Sequence, residues 1–447
     1  MGVLVDPEVP SDEDFDEAVE AAEGLVTRVA RLADGSGDLV LDGPGAGSVR
    51  TPSAGDESVE VSPIRDRESA LDGRAPLFLV HRPYRYWRSM PRLLANIHAS
   101  AGIGVALGVV SRLGMFSEDS HREFHGLCGA ASVRIVDPEG SRSNPRGLRF
   151  LDTSPRQLAR APYLAPGAVV NVADVLDLQR ERGANLLLTP GRALDPANPQ
   201  PSLDEAFADG DEALAHLRSG ERVALNLCMS ADWLTSEHLR DALLAQLLDQ
   251  EQFDTWYLRV QWSTSIRSHA QPILEPLLRG YRRIAELAAD EGHILLLPQT
   301  GLTGWLMLAF GASGFGSGIG GAEQAFREET GGGGNGAPPI ERYFERSLLH
   351  TIERTSRHIV LGDPAYVQCH CPYCAALLAG PAWSHEYAGL HQVFNAGLLT
   401  SAVAPTGRGG THGAVRRTVQ AARHFALGKA LTGLSEPRHL QVWDRVL

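Results

Sequence analysis

Short apolar runs, many of them rich in β-branched residues, recur along the middle of the chain, and polar residues or Gly and Pro follow each run. Runs that are apolar without alternation predict strands buried on both faces of a parallel sheet. Segments with apolar residues at helical spacing lie between many of these runs. The predicted strands are 77–80, 104–110, 133–136, 148–151, 169–172, 186–188, 223–227, 256–260, 294–297 and 314–319, and the predicted helices are 202–219, 236–250, 266–291 and 302–310.

Strands that alternate with helices in this way predict an α/β fold with a parallel sheet. Roughly eight such units in about 250 residues fit a (β/α)8 barrel better than an open sheet. We therefore expect a (β/α)8 TIM-type barrel over residues 76–330. An open doubly wound sheet stays as the structural alternative.

The segments on either side of the expected barrel show different patterns. Residues 1–75 begin with an acidic amphipathic stretch at 12–32 and continue with a region rich in Gly, Ser and Asp, which predicts a largely disordered tail. Residues 331–447 begin with a Gly run at 331–336, which predicts a loop, and continue with helical segments. We thus expect one large barrel, with an acidic tail before it and a helical segment after it.

The formal net charge of −13 would argue against a general nucleic-acid-binding protein, which shows a basic surface. However, residues 1–75 hold 18 Asp and Glu against 6 Arg, so most of the negative charge lies in the tail. The rest of the chain is close to neutral and contains two basic stretches, at 82–92 and 408–423. The net charge therefore permits a nucleic-acid partner.

The sequence also bears on the compartment. It has no run of about 18 apolar residues, the minimum for a membrane-spanning helix. Its N-terminus is acidic, whereas a signal peptide begins with a basic region. Three of the five cysteines lie close together, unlike the disulfide framework of a secreted protein. We expect a cytoplasmic protein with no membrane contact, and a homo-oligomer stays open.

The most specific motif is Cys-His-Cys-Pro-Tyr-Cys, in which Cys369, Cys371 and Cys374 have C-x-C-x-x-C spacing. A tight turn can bring three such thiolates to one point, and Zn²⁺ prefers four nitrogen or sulfur ligands in a tetrahedron. The sequence therefore predicts a structural zinc site whose fourth ligand comes from the following helix. Buried cysteines without a metal, and a redox pair at Cys371 and Cys374, stay as alternatives. The candidates for the fourth ligand are His391 and His385, followed by His370 and His412.

A barrel followed by C-x-C-x-x-C and a downstream histidine resembles the tRNA-guanine transglycosylase superfamily. Its members are transferases that replace guanine by a 7-deazaguanine base in tRNA, and related branches act on DNA. The resemblance covers the order of elements and residues 363–404, with 383–399 as the helix after the third cysteine. It implies a zinc-binding glycosyltransferase for tRNA modification or DNA modification. The family's zinc histidine would fall at Thr400, so the fourth ligand here requires a rearranged helix or another residue.

The same resemblance implies two acidic groups at the barrel mouth. One attacks C1′ of the nucleotide, forms a covalent ribosyl-enzyme intermediate and expels guanine, while a second group moves protons. In a (β/α)8 barrel, chemistry takes place at the C-terminal ends of the strands, where Asp152, Asp174 and Asp232 lie. We take Asp152 as the first catalytic candidate and Asp232 as the second. Each has a structural alternative, Asp152 as a turn or N-cap residue and Asp232 as a first-turn helix residue.

Amide side chains follow three predicted strands, at Asn226, Gln261 and Gln299. Each amide presents a donor and an acceptor together, which suits the reading of a base edge. We therefore take these three residues as substrate-binding candidates.

A basic and aromatic strip at 81–92 supplies two further substrate-binding candidates, Arg82 and Arg85. Arginines interleaved with aromatic rings are typical of surfaces that contact phosphates and bases. In the alternative, the aromatic side chains pack on the barrel and the arginines stay solvated. Four further aromatic residues could either stack on a base or belong to the core: Trp256, Trp262, Trp305 and Phe315.

These features favour a nucleobase (guanine or 7-deazaguanine) transglycosylase that acts on tRNA or DNA through a carboxylate nucleophile, with Zn²⁺ as its cofactor. The alternative is a non-catalytic, zinc-stabilised barrel that binds nucleic acid or a partner protein, and the lack of an identifiable second carboxylate favours it. An unrelated barrel enzyme that acts on a small molecule is a third alternative.

Overall fold

The structure is a computed structural model that describes residues 66–101, 104–263, 267–268, 271–329, 340–379, 382–403 and 407–447. The expected acidic tail, up to residue 65, and the Gly run at 331–336 lie outside these residues. All described residues belong to one compact unit.

Twelve strands occur in the described part of the chain. They are β1 (Leu77–His81), β2 (Ala106–Arg112), β3 (Val133–Asp137), β4 (Leu187–Leu188), β5 (Val223–Ser230), β6 (Thr255–Gln261), β7 (Arg267–Ser268), β8 (Gln271–Pro272), β9 (Ile294–Leu297), β10 (Gly314–Gly318), β11 (Arg342–Glu345) and β12 (His350–Glu353).

Eight of these strands, all parallel, form one sheet in the order β3-β2-β1-β10-β9-β6-β5-β4. The backbone N–H groups of Asn185 and Leu186 bridge β3 and β4 by donating to the Arg134 carbonyl at 2.9 and 3.2 Å. The sheet is therefore a nearly closed barrel whose strands follow one another in chain order. This confirms the predicted (β/α)8 TIM-type fold.

Helices follow most of the barrel strands. They are α1 (Arg67–Ala70), α2 (Met90–Ala101), α3 (Glu118–Leu127), α4 (Pro155–Arg160), α5 (Val172–Glu181), α6 (Pro199–Ala215), α7 (Asp232–Thr235), α8 (Glu237–Leu248), α9 (Glu275–Asp290), α10 (Leu302–Met307), α11 (Gly321–Gln324), α12 (Arg357–Leu361), α13 (Cys374–Ala379), α14 (His385–Val403), α15 (Gly407–Ala426) and α16 (His439–Val446). Within the described ranges, none of them combines the length and the apolar character that crossing a membrane requires.

Two predicted strands, 148–151 and 169–172, are not strands in the structure. Residues 148–151 belong to the long connection between β3 and β4, where Leu151 is half exposed. In the second segment the Asn171 side chain accepts a hydrogen bond from the Asp174 N–H at 3.1 Å and so caps α5. A helix cap there outweighs the strand propensity of the valines. The predicted helix 266–291 begins only at Glu275, after the hairpin of β7 and β8.

The N-terminal end of the barrel is closed by α1. Ala70 and Leu71 are buried and belong to the same apolar cluster as the barrel-interior side chains Leu79, Ile135 and Leu296. Residues 66–75, part of the segment expected to be a tail, therefore pack against the barrel.

The segment after the barrel packs along its outer side, from the mouth at Ile319 to Gly104 before β2. β11 and β12 form an antiparallel hairpin, and α14 lies against β10. A Cβ atom at Gly389 of α14 would come within 2.2 Å of Ile319 Cγ2, so the missing side chain is what lets the helix approach. α14 in this way connects the barrel mouth to the cysteine motif.

Candidate metal centre and barrel mouth

Four side chains converge at the C-x-C-x-x-C motif: Cys369, Cys371, Cys374 and His391, with their ligand atoms all within 4.8 Å of one another. His391 Nδ1 lies 3.1 Å from Cys371 Sγ and 3.4 Å from Cys374 Sγ. The Cys371 and Cys374 sulfurs are 3.5 Å apart. A tetrahedral site with metal–sulfur bonds of about 2.3 Å has edges of roughly 3.8 Å, so this donor set fits a metal ion.

Local structure explains the convergence. The Cys374 N–H donates to the Cys371 carbonyl at 3.1 Å, and this turn leads directly into α13. Cys369 enters from the preceding loop, and His391 lies in the buried face of α14. The short loop and the helix that crosses it thus supply ligands from two directions.

Neighbouring residues orient the histidine. His391 Nε2 lies 2.8 Å from the Phe344 carbonyl and donates to it, so Nδ1 is the ring nitrogen that faces the three sulfurs. The Tyr343 ring stacks on the imidazole at 4.5 Å, and its hydroxyl contacts Cys374 Sγ at 3.4 Å. The Asn395 amide donates to the His391 carbonyl at 2.8 Å.

The sulfurs and the imidazole of the cluster share protons, and their pKa values shift in different directions. Hydrogen bonds from Cys371 and Cys374 lower the pKa of the Cys369 thiol. Burial lowers the pKa of His391, but hydrogen bonds with the Cys369 and Cys374 sulfurs outweigh burial and raise it to about 9. A metal ion would displace these shared protons, as thiolate sites generally require.

The other sequence candidates for the fourth ligand lie elsewhere. His370 is exposed, His385 lines the barrel mouth, and His412 packs against the Phe310 ring. Thr400, where the resembling family has its histidine, is buried and donates to the Ala396 carbonyl.

The barrel mouth holds two adjacent cavities that share Ala322 and Arg327. We name the first, of about 560 Å³, the mouth cavity; its lining includes Arg112, Glu139, Arg142, Asp152, Gln299 and Glu329. We name the second, of about 460 Å³, the β1–β10 cleft; its lining includes Tyr84, Arg85, Tyr86, Glu323, Arg327 and Arg342. Both open at the C-terminal ends of barrel strands, where the chemistry of this fold takes place.

Two arginines hold the carboxylate of Glu139 in the mouth cavity. Its Oε1 accepts from Arg112 Nε at 2.7 Å and from Arg142 Nε at 3.1 Å, while Oε2 has no hydrogen-bond partner within the described residues. Burial alone would raise the pKa of Glu139, but the two guanidinium groups lower it to about 2. Glu139 is therefore ionised at neutral pH.

A buried ion pair lies beneath Glu139. Arg259 of β6 and Asp137 at the end of β3 are 3.0 Å apart, and both are buried. Asp137 Oδ1 also accepts from the Glu139 N–H at 3.0 Å. The pair fixes the start of the loop that carries Glu139.

Glu323 of α11 lies in the β1–β10 cleft. Gly318 and Gly320 make room for it, because a Cβ atom at either position would come within 2.4 Å of the Glu323 side chain. Burial raises the pKa of the Glu323 carboxyl, with Arg112 and Arg327 opposing. Glu323 and Glu139 thus share the neighbour Arg112 but have pKa values shifted in opposite directions.

The catalytic candidates chosen from the sequence, Asp152 and Asp232, are exposed and differ from the two cavity acids, Glu139 and Glu323. Asp152 lies exposed on a loop at the rim of the mouth cavity rather than at a strand end. Asp232 is the exposed first residue of α7 and accepts from Ser230 Oγ at 3.1 Å. Asp174 is an exposed residue in the first turn of α5.

The amide candidates have mainly structural contacts. The buried Asn226 amide donates to the Thr189 carbonyl at 3.1 Å, and Gln261 holds both backbone groups of Arg149 at 2.8 and 3.0 Å. Gln299 lies in the mouth cavity and donates to the Ala322 carbonyl at 3.0 Å. Trp256, Trp262, Trp305 and Phe315 are fully buried core residues.

Arg82 and Arg85 have opposite surroundings. The Arg82 guanidinium is buried among the rings of Phe116, Trp87 and Phe124, at 3.8, 4.7 and 4.9 Å from their centroids, so it is not available to a substrate phosphate. Arg85 is exposed in the β1–β10 cleft. The strip is therefore mixed. Arg82 is buried and two tyrosines are exposed, whereas the exposed Arg85 and the packed Trp87 agree with the alternative.

Sequence reasoning missed Glu139 and Glu323. Glu139 belongs to the Asp-Pro-Glu-Gly turn directly after β3, and Glu323 follows the Gly-rich end of β10. Both positions follow predicted strands, so a search of the residues just beyond each strand could have found them. Comparison with models of known protein families and with curated protein sequences finds no match.

Proposed function

We propose that this chain is a nucleobase-exchange enzyme, resembling the tRNA-guanine transglycosylases, that acts on tRNA or DNA at its barrel mouth. The observation that carries this proposal is the presence of two carboxyl groups in the adjacent cavities of the mouth, Glu139 held by Arg112 and Arg142 and Glu323 beside the Gly-rich end of β10, with pKa values shifted in opposite directions. Enzymes that break a glycosidic bond use such a pair, one group as an acid and the other as a nucleophile.

In the proposed reaction, a Glu139 oxygen attacks C1′ of the nucleotide while Glu323 protonates the departing base. The C1′–nitrogen bond breaks, and an ester forms between the sugar and Glu139. The incoming base then loses a proton to the Glu323 carboxylate, and its nitrogen attacks C1′. This second step releases Glu139 and returns both carboxyl groups to their starting states without any further reactant.

We further propose that the metal is zinc and that its role is structural. Three thiolates and one imidazole suit Zn²⁺, and they fill all four positions, so no position is open for a substrate. The site secures α14, whose residues His385 and Gln392 line the β1–β10 cleft. Zinc would thereby hold one wall of the proposed active site.

The test is base exchange with radiolabelled guanine, with tRNA and with single-stranded DNA as acceptors. We expect the label to enter one of these polymers, and Glu323→Gln and Glu139→Gln each to lower the rate by about 100-fold or more. Asp232→Asn is the control, because this exposed carboxylate is outside both cavities, and it should exchange at the wild-type rate.

A second measurement addresses the intermediate. If the acceptor base is omitted and the protein is denatured in acid, mass spectrometry should find a sugar adduct on the peptide that contains Glu139. Full exchange by Glu139→Gln, or an adduct on another residue, would remove Glu139 from the role of nucleophile.

A non-catalytic nucleic-acid-binding barrel is the second candidate. It is favoured by the fact that Glu139 Oε1 is already held by two arginines, which lowers the nucleophilicity of the group. Binding of the polymers without exchange by the folded, metal-loaded protein would support this candidate and overturn the proposed reaction.

A further inference from the structure

We infer that the β1–β10 cleft holds a single-stranded segment of nucleic acid, with a base stacked on Tyr86 and the flanking phosphates at a group of arginines. The inference rests on the proposed function and places the polymer relative to the reacting groups. The arginines are Arg85, Arg327 and Arg342.

The buried side chain of Arg82 anchors the loop that carries Tyr86. Arg82 donates to the Ser120 carbonyl at 3.0 Å and to Ser120 Oγ at 2.7 Å, in addition to its contacts with aromatic rings. Tyr86 itself has a φ of 66°, a backbone conformation that costs free energy for a residue other than Gly. The loop is therefore anchored at Arg82, and Tyr86 has a strained backbone conformation.

The tyrosines of this loop are exposed where the cleft opens. Tyr84 is 61% exposed and Tyr86 is 42% exposed. An exposed aromatic ring beside a cleft is the usual platform on which single-stranded nucleic acids stack their bases, whatever the base. Tyr84 already stacks on the Phe116 ring, with 6.4 Å between the two ring centroids. We therefore take Tyr86 as the ring that receives the base.

The charge of the cleft suits a polyanion. None of its three arginines forms an ion pair within the described part of the chain, whereas Arg112, Arg142 and many others do. Among the described residues of the cleft lining, Glu323 carries the one carboxyl group. The described lining of the cleft therefore carries three arginines against one carboxyl group.

The size of the cleft selects an unpaired nucleotide. Its volume of about 460 Å³ is that of a small-molecule site, so it accommodates one nucleotide rather than a duplex. Enzymes that act on a base must take it out of the stack, and a platform beside the reacting carboxyl group supports that position.

The test is fluorescence anisotropy with labelled oligonucleotides of about 12 nucleotides, as single-stranded DNA, single-stranded RNA and duplex DNA. We expect at least one single strand to bind more tightly than the duplex. Tyr86→Ala should weaken that binding about 10-fold, whereas Tyr86→Phe, which keeps the ring, should bind like the wild type. Thermal melting of both variants checks that the loop substitution leaves the fold intact.

Salt dependence separates phosphate contacts from stacking. Arg342→Gln and Arg85→Gln should each reduce the slope of log K against log salt by about 0.7, the value for one single-strand phosphate, and Tyr86→Ala should leave the slope unchanged. Arg218→Gln is the matched control, because Arg218 is 64% exposed and lies in the connection before β5, at the opposite end of the barrel.

The possible outcomes distinguish this inference from the proposed function. If Tyr86→Ala and both arginine variants bind like the wild type while base exchange is intact, the polymer lies elsewhere and the inference is wrong. If the variants bind weakly but the wild type exchanges no base, the strand site stands and the enzymatic proposal is wrong. Preference for an acidic peptide over every oligonucleotide would also overturn the inference.

Discussion

Ser111 of β2 lies between two buried histidines of α3. Its hydroxyl is 2.8 Å from His121 Nδ1 and 3.3 Å from His125 Nε2. Burial, with a contribution from Arg82, lowers the pKa of His121 to about 2, and burial lowers that of His125 to about 4. Both rings are therefore neutral in the folded protein, although they would take up a proton near pH 6.5 in an unfolded chain.

This difference predicts acid sensitivity. In this pH range the unfolded chain binds protons at these histidines and the folded chain does not. The free energy of unfolding should therefore fall as the pH drops from about 6.5 towards 4.5, by up to about 1.4 kcal/mol per pH unit for each histidine. His121→Asn should make this dependence shallower by about one proton in denaturant titrations at several pH values. The exposed His238→Asn is the control. All variants share the metal centre, so its own acid sensitivity cancels, and an unchanged slope in His121→Asn would contradict the prediction.

Neighbouring residues show why the sequence could not assign such roles. Arg82 and Arg85 belong to one basic strip, but Arg82 is buried by Phe116 and Phe124, which lie beyond β2 in the chain. Likewise Asp152 is exposed, whereas Glu139 is held by arginines from β2 and from its own loop. Burial and ion pairing depend on partners distant in sequence, and no local pattern reports them.

At the scale of elements, the fold was predictable because runs buried on both faces are apolar throughout. Eight of the ten predicted strands form the barrel sheet. The segment at 169–172 has the same local composition but begins a helix, because the Asn171 side chain caps it. The position of α14 against β10 was not predictable, since it depends on a close approach at Gly389 that no periodicity encodes.

Gly389 allows a test at this scale. Gly389→Ala places a methyl group 2.2 Å from Ile319 Cγ2 and 2.7 Å from the Ile319 carbonyl, so α14 must shift and His391 with it. We expect a loss of about 1–3 kcal/mol in the free energy of unfolding and weaker metal binding, measured by denaturation and by metal analysis.

Gly413→Ala, in α15, is the control, because its new Cβ would meet only the flexible end of Arg417 at 3.4 Å. It should be neutral or stabilising by up to about 1 kcal/mol. Equal stability of both variants would show that the approach of α14 tolerates a side chain.

At the scale of the whole molecule, the metal ligands were predictable and the mouth acids were not. Cys369, Cys371 and Cys374 lie within one turn, so their spacing alone brings the sulfurs together. The prediction of His391 as the fourth ligand needed only that the following helix pass beside that turn. Glu139 and Glu323, by contrast, come from the ends of β3 and β10, and only the closed barrel brings both near Arg112.

The cluster joins the C-terminal segment to the barrel mouth, so the loss of its metal should affect both. We expect the purified protein to carry about one zinc ion per chain by elemental analysis, and Cys371→Ser to carry little or none. Chelation should lower the melting temperature by roughly 5–10 °C, because the hairpin at Phe344, the loop at Cys369 and α14 lose their common anchor. Oligonucleotide binding should weaken as well, since α14 lines the β1–β10 cleft.

Cys228→Ala, which removes a buried thiol of β5 outside the cluster, is the control and should keep its zinc. Iron in place of zinc, or equal metal loss in Cys228→Ala, would contradict the assignment, and unchanged oligonucleotide binding after chelation would show that the cleft holds its shape without the metal.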